Sequence, residues 1–302
     1  MGSLKTWVQA ARLRTLPLSL SGIIVGTALA MKQGFFDLGI FVLALCTTVG
    51  FQVTSNFAND YGDGVKGTDN EDRIGPARVL QSGLLSRKAL KKGILIAIGV
   101  TMVLAIGLLY RAFGNDNFGL FSFFFILGVL SIWAAVRYTV GSHAYGYMGL
   151  GDLFVFLFFG LLGVLGSMFL YTKSIGWSAL LPAIGIGLLC VGVLNLNNLR
   201  DIHSDKKHGK NTLVVKMGFK KGKRYHVFLI AMAFICFSMH AWVEHLRWKD
   251  SYFLLAFLPM AIHLKKVVFT EEPGELDGEL KKLALSTFLL SLLYCFAVNN
   301  FL

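Results

Sequence analysis

The sequence predicts an all-α integral membrane protein, nine transmembrane helices around a central cavity, and three observations carry that expectation. The 302-residue chain is 55% hydrophobic and 15% charged with a mean hydropathy of +0.63, leaving too little polar surface to cover a soluble globule. Its apolar residues gather in nine runs of about 16 to 22 residues, the helix length that crosses a hydrocarbon core about 30 Å thick. The cations alternate from one connection to the next, as a chain that repeatedly crosses a bilayer requires.

The runs fall at about 16–31, 38–56, 90–110, 118–135, 150–171, 177–197, 225–243, 252–269 and 283–301. The first is followed by Lys32-Gln33-Gly34 and then directly by the second, with no small-residue cleavage pattern, so it reads as a retained helix and not a signal peptide. The second and sixth runs each end in a short acidic segment. The fourth and fifth are dense in phenylalanine, at Phe121–Phe125 and Phe154–Phe159, and flank a glycine-rich loop. Cys46, Cys190, Cys236 and Cys295 all lie inside apolar runs without metal or redox spacing, which points to core packing. Met1-Gly2-Ser3-Leu4-Lys5-Thr6 fits a loose myristoylation pattern, but one acyl chain adds nothing to nine spanning helices. No Pro/Gly/Ser linker or polar block is long enough to separate a second unit, so residues 1–302 form a single intramembrane domain.

A net charge of +12 would suggest nucleic acid in a soluble protein, but here its distribution speaks for a membrane and against that partner. With the N-terminus inside, the N-terminal segment and the connections after the second, fourth, sixth and eighth runs hold 24 of the 29 Lys/Arg. The asymmetry predicts a cytoplasmic N-terminus and an external C-terminus. Four crossings separate the two acidic segments, so both face the cytoplasm. They also lie in the two most basic connections, which hold 16 of the 29 cations. Topology signals and lipid headgroup anchors account for lysines such as Lys220, Lys221 and Lys223. They do not account for acids concentrating in the same places.

The first acidic segment is Asn56-Phe57-Ala58-Asn59-Asp60-Tyr61-Gly62-Asp63 with Asp69 beyond, and the second is Asn197-Asn198-Leu199-Arg200-Asp201-Ile202-His203-Ser204-Asp205 with Lys210 beyond. Helical spacing puts Asn56, Asp60 and Asp63 on one stripe, and Asn198, Asp201 and Asp205 on a matching one. Carboxylates so arranged repel one another and lose solvation at the bilayer edge, penalties that a divalent cation cancels. Mg²⁺ takes oxygen ligands and is typically held by one or two carboxylates plus substrate phosphates, so two facing stripes suit Mg²⁺ with a diphosphate between them. Candidate metal ligands are Asp60, Asp63, Asp201 and Asp205, assisted by Asn56 and Asn198. Lys66, Arg73, Arg78, Arg200 and Lys210 in the motif loops, and Arg137 on the intervening loop, supply charge for the remaining phosphate oxygens.

Neutralising a diphosphate stabilises it as a leaving group. If the departing group is an allylic prenyl chain, the resulting carbocation needs shelter from water and an electron-rich partner. Twenty-six phenylalanines, nine tyrosines and five tryptophans are available for packing, lipid contact and cation stabilisation. The loop from Arg137 to Asp152 lies on the same side as the acidic segments, so Tyr138, Tyr145 and Asp152 are candidates to orient or deprotonate an aromatic acceptor; its glycines and Asp152 equally suit a tight re-entry with a helix cap. His143 and His203 are further candidate bases, or ordinary surface histidines in basic loops.

These features resemble the UbiA superfamily of intramembrane aromatic prenyltransferases. The resemblance rests on Asn59-Asp60-x-x-Asp63, on Asp201-x-x-x-Asp205, and on their placement after the second and sixth of nine helices. The finer text is similar to the 1,4-dihydroxy-2-naphthoate polyprenyltransferase (MenA) branch: Asn59 to Asp69, Asp72-Arg73-Ile74-Gly75-Pro76, Tyr145 to Asp152, and Asn197-Asn198-x-Arg200-Asp201 with Gly209-Lys210-x-Thr212-Leu213. What it implies is a Mg²⁺-dependent transfer of a polyprenyl chain from its diphosphate to the naphthoate ring with loss of the carboxylate, giving demethylmenaquinone, in a bacterial plasma membrane. In that family the acids of both motifs bind the metals. The chain departs from the superfamily pattern at Gly67, where a third acid is expected; Asp69 takes its place in the loop. Ala144 stands where proline is expected before Tyr145. A relative acting on 4-hydroxybenzoate or homogentisate is the alternative within the enzyme class, and an ion-coupled transporter is the alternative outside it.

Overall fold

A computed structural model describes residues 3–68 and 74–300; Asp69 and Arg73, both singled out above, lie outside the described residues. Among the described residues the chain is all-helical and nine segments are long and apolar enough to cross a membrane. The first consists of α1 (Leu4–Ala11) and α2 (Leu16–Lys32), and the next two are α3 (Leu38–Lys66) and α4 (Arg87–Phe113). Then come α5 (Phe118–Arg137), α6 (Gly151–Thr172) and α7 (Trp177–Arg200). Two short helices, α8 (Ile202–Lys207) and α9 (Leu213–Met217), lead into α10 (Phe219–Val243), α11 (Trp248–Phe269) and α12 (Pro273–Val298).

The expected runs are all present, but several helices outreach them. Ser3 caps α1 by accepting from the backbone of Thr6, so the first span starts well before residue 16; Arg12 in the left-handed region (φ 51°) and Pro17 separate the two helices. More consequentially, α3 continues ten residues past the expected end at 56, to Lys66. The polar residues there belong to the helix because neighbouring elements bury them: Asn56, Asp60 and Asp63 are 3%, 1% and 5% exposed. Hydropathy alone treats such residues as the water boundary.

Span α7 runs through the centre of the bundle, with 67% of its apolar window buried against 6% for the peripheral α5. Small residues let α2, α6 and α7 meet at backbone distance. A Cβ on Gly160 of α6 would lie 2.5 Å from the Cα of Gly187 on α7, so neither helix could carry a larger side chain there without separating. Between Phe156 and Gly166, α6 widens into a π-helical stretch, a form often found at functional sites. It turns Phe158, Phe159, Leu162, Gly163 and Gly166 toward a chamber of about 360 Å³ enclosed by α2 to α7.

Candidate active site

Two cavities follow one another along α3. The larger is the apolar chamber, walled by Phe51, Phe124, Phe154, Phe158 and Phe159 and capped by Gln52, Asn56, Asn59, Tyr138 and Tyr145. The smaller is polar and formed by Asp63, Thr68, Arg78, Asn197, Asp201, Ser204, Asp205 and Lys210. Its volume of about 20 Å³ admits one water-sized body. Asn59 caps the chamber and Asp63 lines the polar pocket; they lie four residues apart on α3, about 6 Å along the axis. The last turns of α3 thus join a greasy compartment to a charged one.

Each acid is held from elsewhere in the chain. Asp60 forms an ion pair with Arg12, and Arg78 Nη1 lies 3.3 Å from the same oxygen. Asp63 accepts from the Tyr147 hydroxyl at 2.8 Å and has Lys210 Nζ 3.7 Å from its other oxygen. Lys210 in turn lies 3.9 Å from Asp205. Arg200 grips Asp201 with a two-pronged fork, Nε and Nη2 donating at 2.8 and 2.6 Å. Among the described residues the two acidic segments therefore converge, with Lys210 between them.

One expectation requires correction. Asn198, Asp201 and Asp205 do not lie along one continuous helix: α7 ends at Arg200, Asp201 leaves helical geometry (φ −94°, ψ 11°), and α8 restarts at Ile202. A backbone bond from Asp205 N to Asp201 O, 2.8 Å long, folds the two carboxylates onto the same pocket all the same. The glycine in place of a third acid also finds its reason: Gly67 caps α3 in the left-handed region at φ 74°, where a side chain is strained.

The other singled-out residues fall into three groups. Tyr138 and Tyr145 cap the chamber, as expected of acceptor-facing groups; Tyr145 stacks on Phe154 with centroids 3.9 Å apart and donates to Ala134 O at 2.9 Å. Arg78 and Lys210 line the polar pocket. Lys66 is exposed, with Nζ 3.8 Å from the centre of the Tyr147 ring. Arg137 ends α5 half-buried, within electrostatic reach of Lys66. Asp152 lines neither cavity; it stands behind Tyr138, where Tyr225 hydrogen-bonds it. Asn56 commits its amide to Ala11 O at 2.8 Å and caps the chamber, not the polar pocket. His143 and His203 are exposed.

Sequence reasoning missed Arg12, Tyr147, Thr68, Asn197 and Ser204. Asn197, Ser204 and Tyr147 stood inside the motif stretches without being singled out, and Arg12 carried a signal of its own, a cation just before the first apolar run. It also assigned Arg200 to free phosphate charge, whereas the structure commits this guanidinium to Asp201, Asp277 and Asn197.

Burial sets the electrostatics. Burial pushes the Tyr138 phenol up to about 12, Lys210 pulls back, and Asp63, Asp152 and Asp205 add to the rise. Burial and then Asp63 raise Tyr147, and burial also raises Tyr145, so all three hydroxyls keep their protons near neutral pH, and those of Tyr145 and Tyr147 donate to Ala134 O and Asp63. For Lys210, burial alone would lower the pKa, but Asp63 and Asp205 outweigh it and hold the ammonium above the ordinary lysine value.

The donor set suits a hard divalent cation. Oxygens of Asp63, Asp201, Asp205 and Asn197 line the pocket with no thiolate or imidazole, whereas two expected ligands, Asp60 and Asn198, line neither cavity. No three His, Cys, Asp or Glu residues close into a ready cage among the described residues.

The sequence of residues 19–292 matches the model of the UbiA prenyltransferase family. A Haemophilus influenzae protein named 1,4-dihydroxy-2-naphthoate octaprenyltransferase is 46% identical over 96% of this chain and 94% of its own length. An Escherichia coli protein of the same name is 41% identical over 97% of this chain and 95% of its own. Among solved structures, a UbiA homolog from Archaeoglobus fulgidus bound to DMAPP and Mg²⁺ superposes with a TM-score of 0.65 at 15% identity, covering 96% of this chain and 99% of that one. At that identity the likeness speaks for the fold.

Proposed function

Since the chain belongs to the UbiA prenyltransferase family, we propose that it transfers a polyprenyl chain from its diphosphate to 1,4-dihydroxy-2-naphthoate, with Mg²⁺ as cofactor and loss of the ring carboxylate as CO₂, giving demethylmenaquinone. The observation that carries the reading is the junction itself: Asp63 of α3 shares one polar pocket with Asp201 and Asp205 of the α7–α8 break, and four residues back along α3 Asn59 lines an aromatic-walled chamber. The names of the relatives supply the acceptor.

In this reading Asp63, Asp201 and Asp205, which line the pocket, would hold Mg²⁺, with Asp60 joining them from one turn back along α3. When bound, Mg²⁺ neutralises the diphosphate and makes it a better leaving group. Lys210 and Arg78, already lining the pocket, donate to phosphate oxygens. The chamber excludes water from the allylic cation and offers it phenyl faces. Tyr138 and Tyr145, protonated at the ceiling, hold the acceptor's hydroxyls toward the prenyl carbon. The cation asymmetry supports a cytoplasmic site and N-terminus and an external C-terminus, and the bacterial sources of the relatives support a plasma membrane; the prenyl tail enters laterally from the bilayer. Residues 1–302 act as one domain.

The test is incubation of membranes carrying the protein with the naphthoate, a polyprenyl diphosphate and Mg²⁺. A prenylated, decarboxylated product with matching CO₂ release, lost on chelation, is expected. Product with 4-hydroxybenzoate or homogentisate and none with the naphthoate would overturn the acceptor, and turnover unaffected by chelation would overturn the metal.

A further inference from the structure

Arg200 is buried almost completely, at 2% exposure, and this one charged group serves two carboxylates on different elements. Its Nε and Nη2 hold Asp201, its Nη1 donates to Asp277 Oδ1 at 2.7 Å, and its Nη2 also reaches Asn197 Oδ1 at 2.9 Å. Asp277 stands on the first turns of α12, far in sequence from either acidic segment, and its side chain is 44% exposed. Gly75 closes the other side: a Cβ there would come within 2.8 Å of Nη2, so the connection between α3 and α4 lies directly on the guanidinium.

A buried arginine paired with one carboxylate alone would cancel that carboxylate's charge and leave it a poor ligand for a cation. A second carboxylate on the same guanidinium divides the positive charge, so the Arg200–Asp201–Asp277 group stays net negative. The fork geometry also fixes the plane of the Asp201 carboxyl, because Arg200 is itself pinned from three directions. We infer that Asp277 is a positioning residue of the α12 N-terminus that, through Arg200, keeps Asp201 oriented and negative for the cation and diphosphate of the polar pocket. The inference rests on the metal-and-diphosphate reading of that pocket, but not on which aromatic ring accepts the prenyl group.

The experiment compares the full-length protein with Asp277→Asn, which keeps the shape and loses the charge, and Asp277→Glu, which keeps the charge. Thermal stabilisation by inorganic diphosphate is followed as a function of Mg²⁺ concentration, alongside prenyl transfer. For Asp277→Asn the half-saturating Mg²⁺ rises about 10-fold, the usual penalty for losing a partner behind a metal ligand. Its melting temperature without ligand and its KM for the acceptor stay near wild type, and Asp277→Glu recovers most of the Mg²⁺ response. A purely structural contact would lower the melting temperature and leave the Mg²⁺ midpoint where it was, which would overturn the inference. Unchanged behaviour of Asp277→Asn in both measurements would overturn it equally, while leaving the enzyme reading intact. Wild type showing no Mg²⁺-dependent stabilisation would sink both. A wild type that binds Mg²⁺ and diphosphate but prenylates no naphthoate, with a weakened Asp277→Asn, upholds the inference against a different acceptor.

Discussion

The hydroxyl of Tyr147 donates to Asp63 at 2.8 Å across a separation of 84 residues, and Thr68 Oγ1 lies 2.5 Å from the same hydroxyl. A loop between α5 and α6 thereby sets the orientation of an acid on α3. Tyr147→Phe removes that bond and little packing. Turnover at limiting Mg²⁺ should fall about 10-fold and recover as Mg²⁺ is raised; a Mg²⁺ titration of initial rates checks it, and a curve superposing on wild type would show that Asp63 needs no such anchor.

Asp60 answers to two guanidinium groups, Arg12 and Arg78, with side chains 14% and 12% exposed. Asp60→Ala leaves both near one another with no carboxylate between them. Prenyl transfer should drop more than about 100-fold, and stability should fall by about 3 kcal/mol, as when a buried ion pair loses one partner. Arg12→Ala should cost less, because Arg78 still faces Asp60. Detergent-solubilised melting curves of both variants decide the order.

Gly67 ends α3 at φ 74°. Gly67→Ala should destabilise by about 1 kcal/mol, since a Cβ is strained in that conformation, without moving the Mg²⁺ midpoint. Gly67→Asp restores the acid of the superfamily pattern and should bring no gain in turnover, because the helix has already ended. A gain in Gly67→Asp would show that the loop accommodates a third metal-facing acid.

The Tyr138 phenol, held at about 12 by burial, lies above its unfolded value of about 10. A raised folded pKa contributes stability that is fully present below the unfolded value and lost as pH rises through the folded one. Stability should therefore be indifferent to this group through neutral pH and decline between about 10 and 12. Tyr138→Phe should flatten that part of the profile in thermal unfolding measured across alkaline buffers. It should also weaken acceptor binding, raising KM for the naphthoate more than it lowers kcat.

Legibility in the sequence followed the range of the physics involved. Hydropathy over some twenty residues needs no partner to be read, so all nine spans were there to find. The blur came where tertiary burial overrode polarity: α3 runs on to Lys66 because other helices enclose Asn56, Asp60 and Asp63. The aromatic density of the fourth and fifth runs was visible, yet which rings face the chamber was not. Phe124, Phe154, Phe158 and Phe159 do, whereas Phe123 is 56% exposed on the outside of the bundle. A π-helical stretch, which shifts the register of a helix face, cannot be inferred from a 3.6-residue period.

By itself the sequence determined the membrane-spanning class, the side-by-side placing of Asp60 and Asp63, and the family, since hydropathy, helical spacing and motif text are local properties. Only the tertiary structure decided what each acid meets. Arg12 is 48 residues from Asp60 and Asp277 is 77 from Arg200. It also turned Asp152 to Tyr225 and broke the second stripe at Asp201. The physical reason is that a buried charge takes its partner from whichever helix packs beside it, and that neighbour is fixed by the three-dimensional burial of the whole bundle and not by distance along the chain.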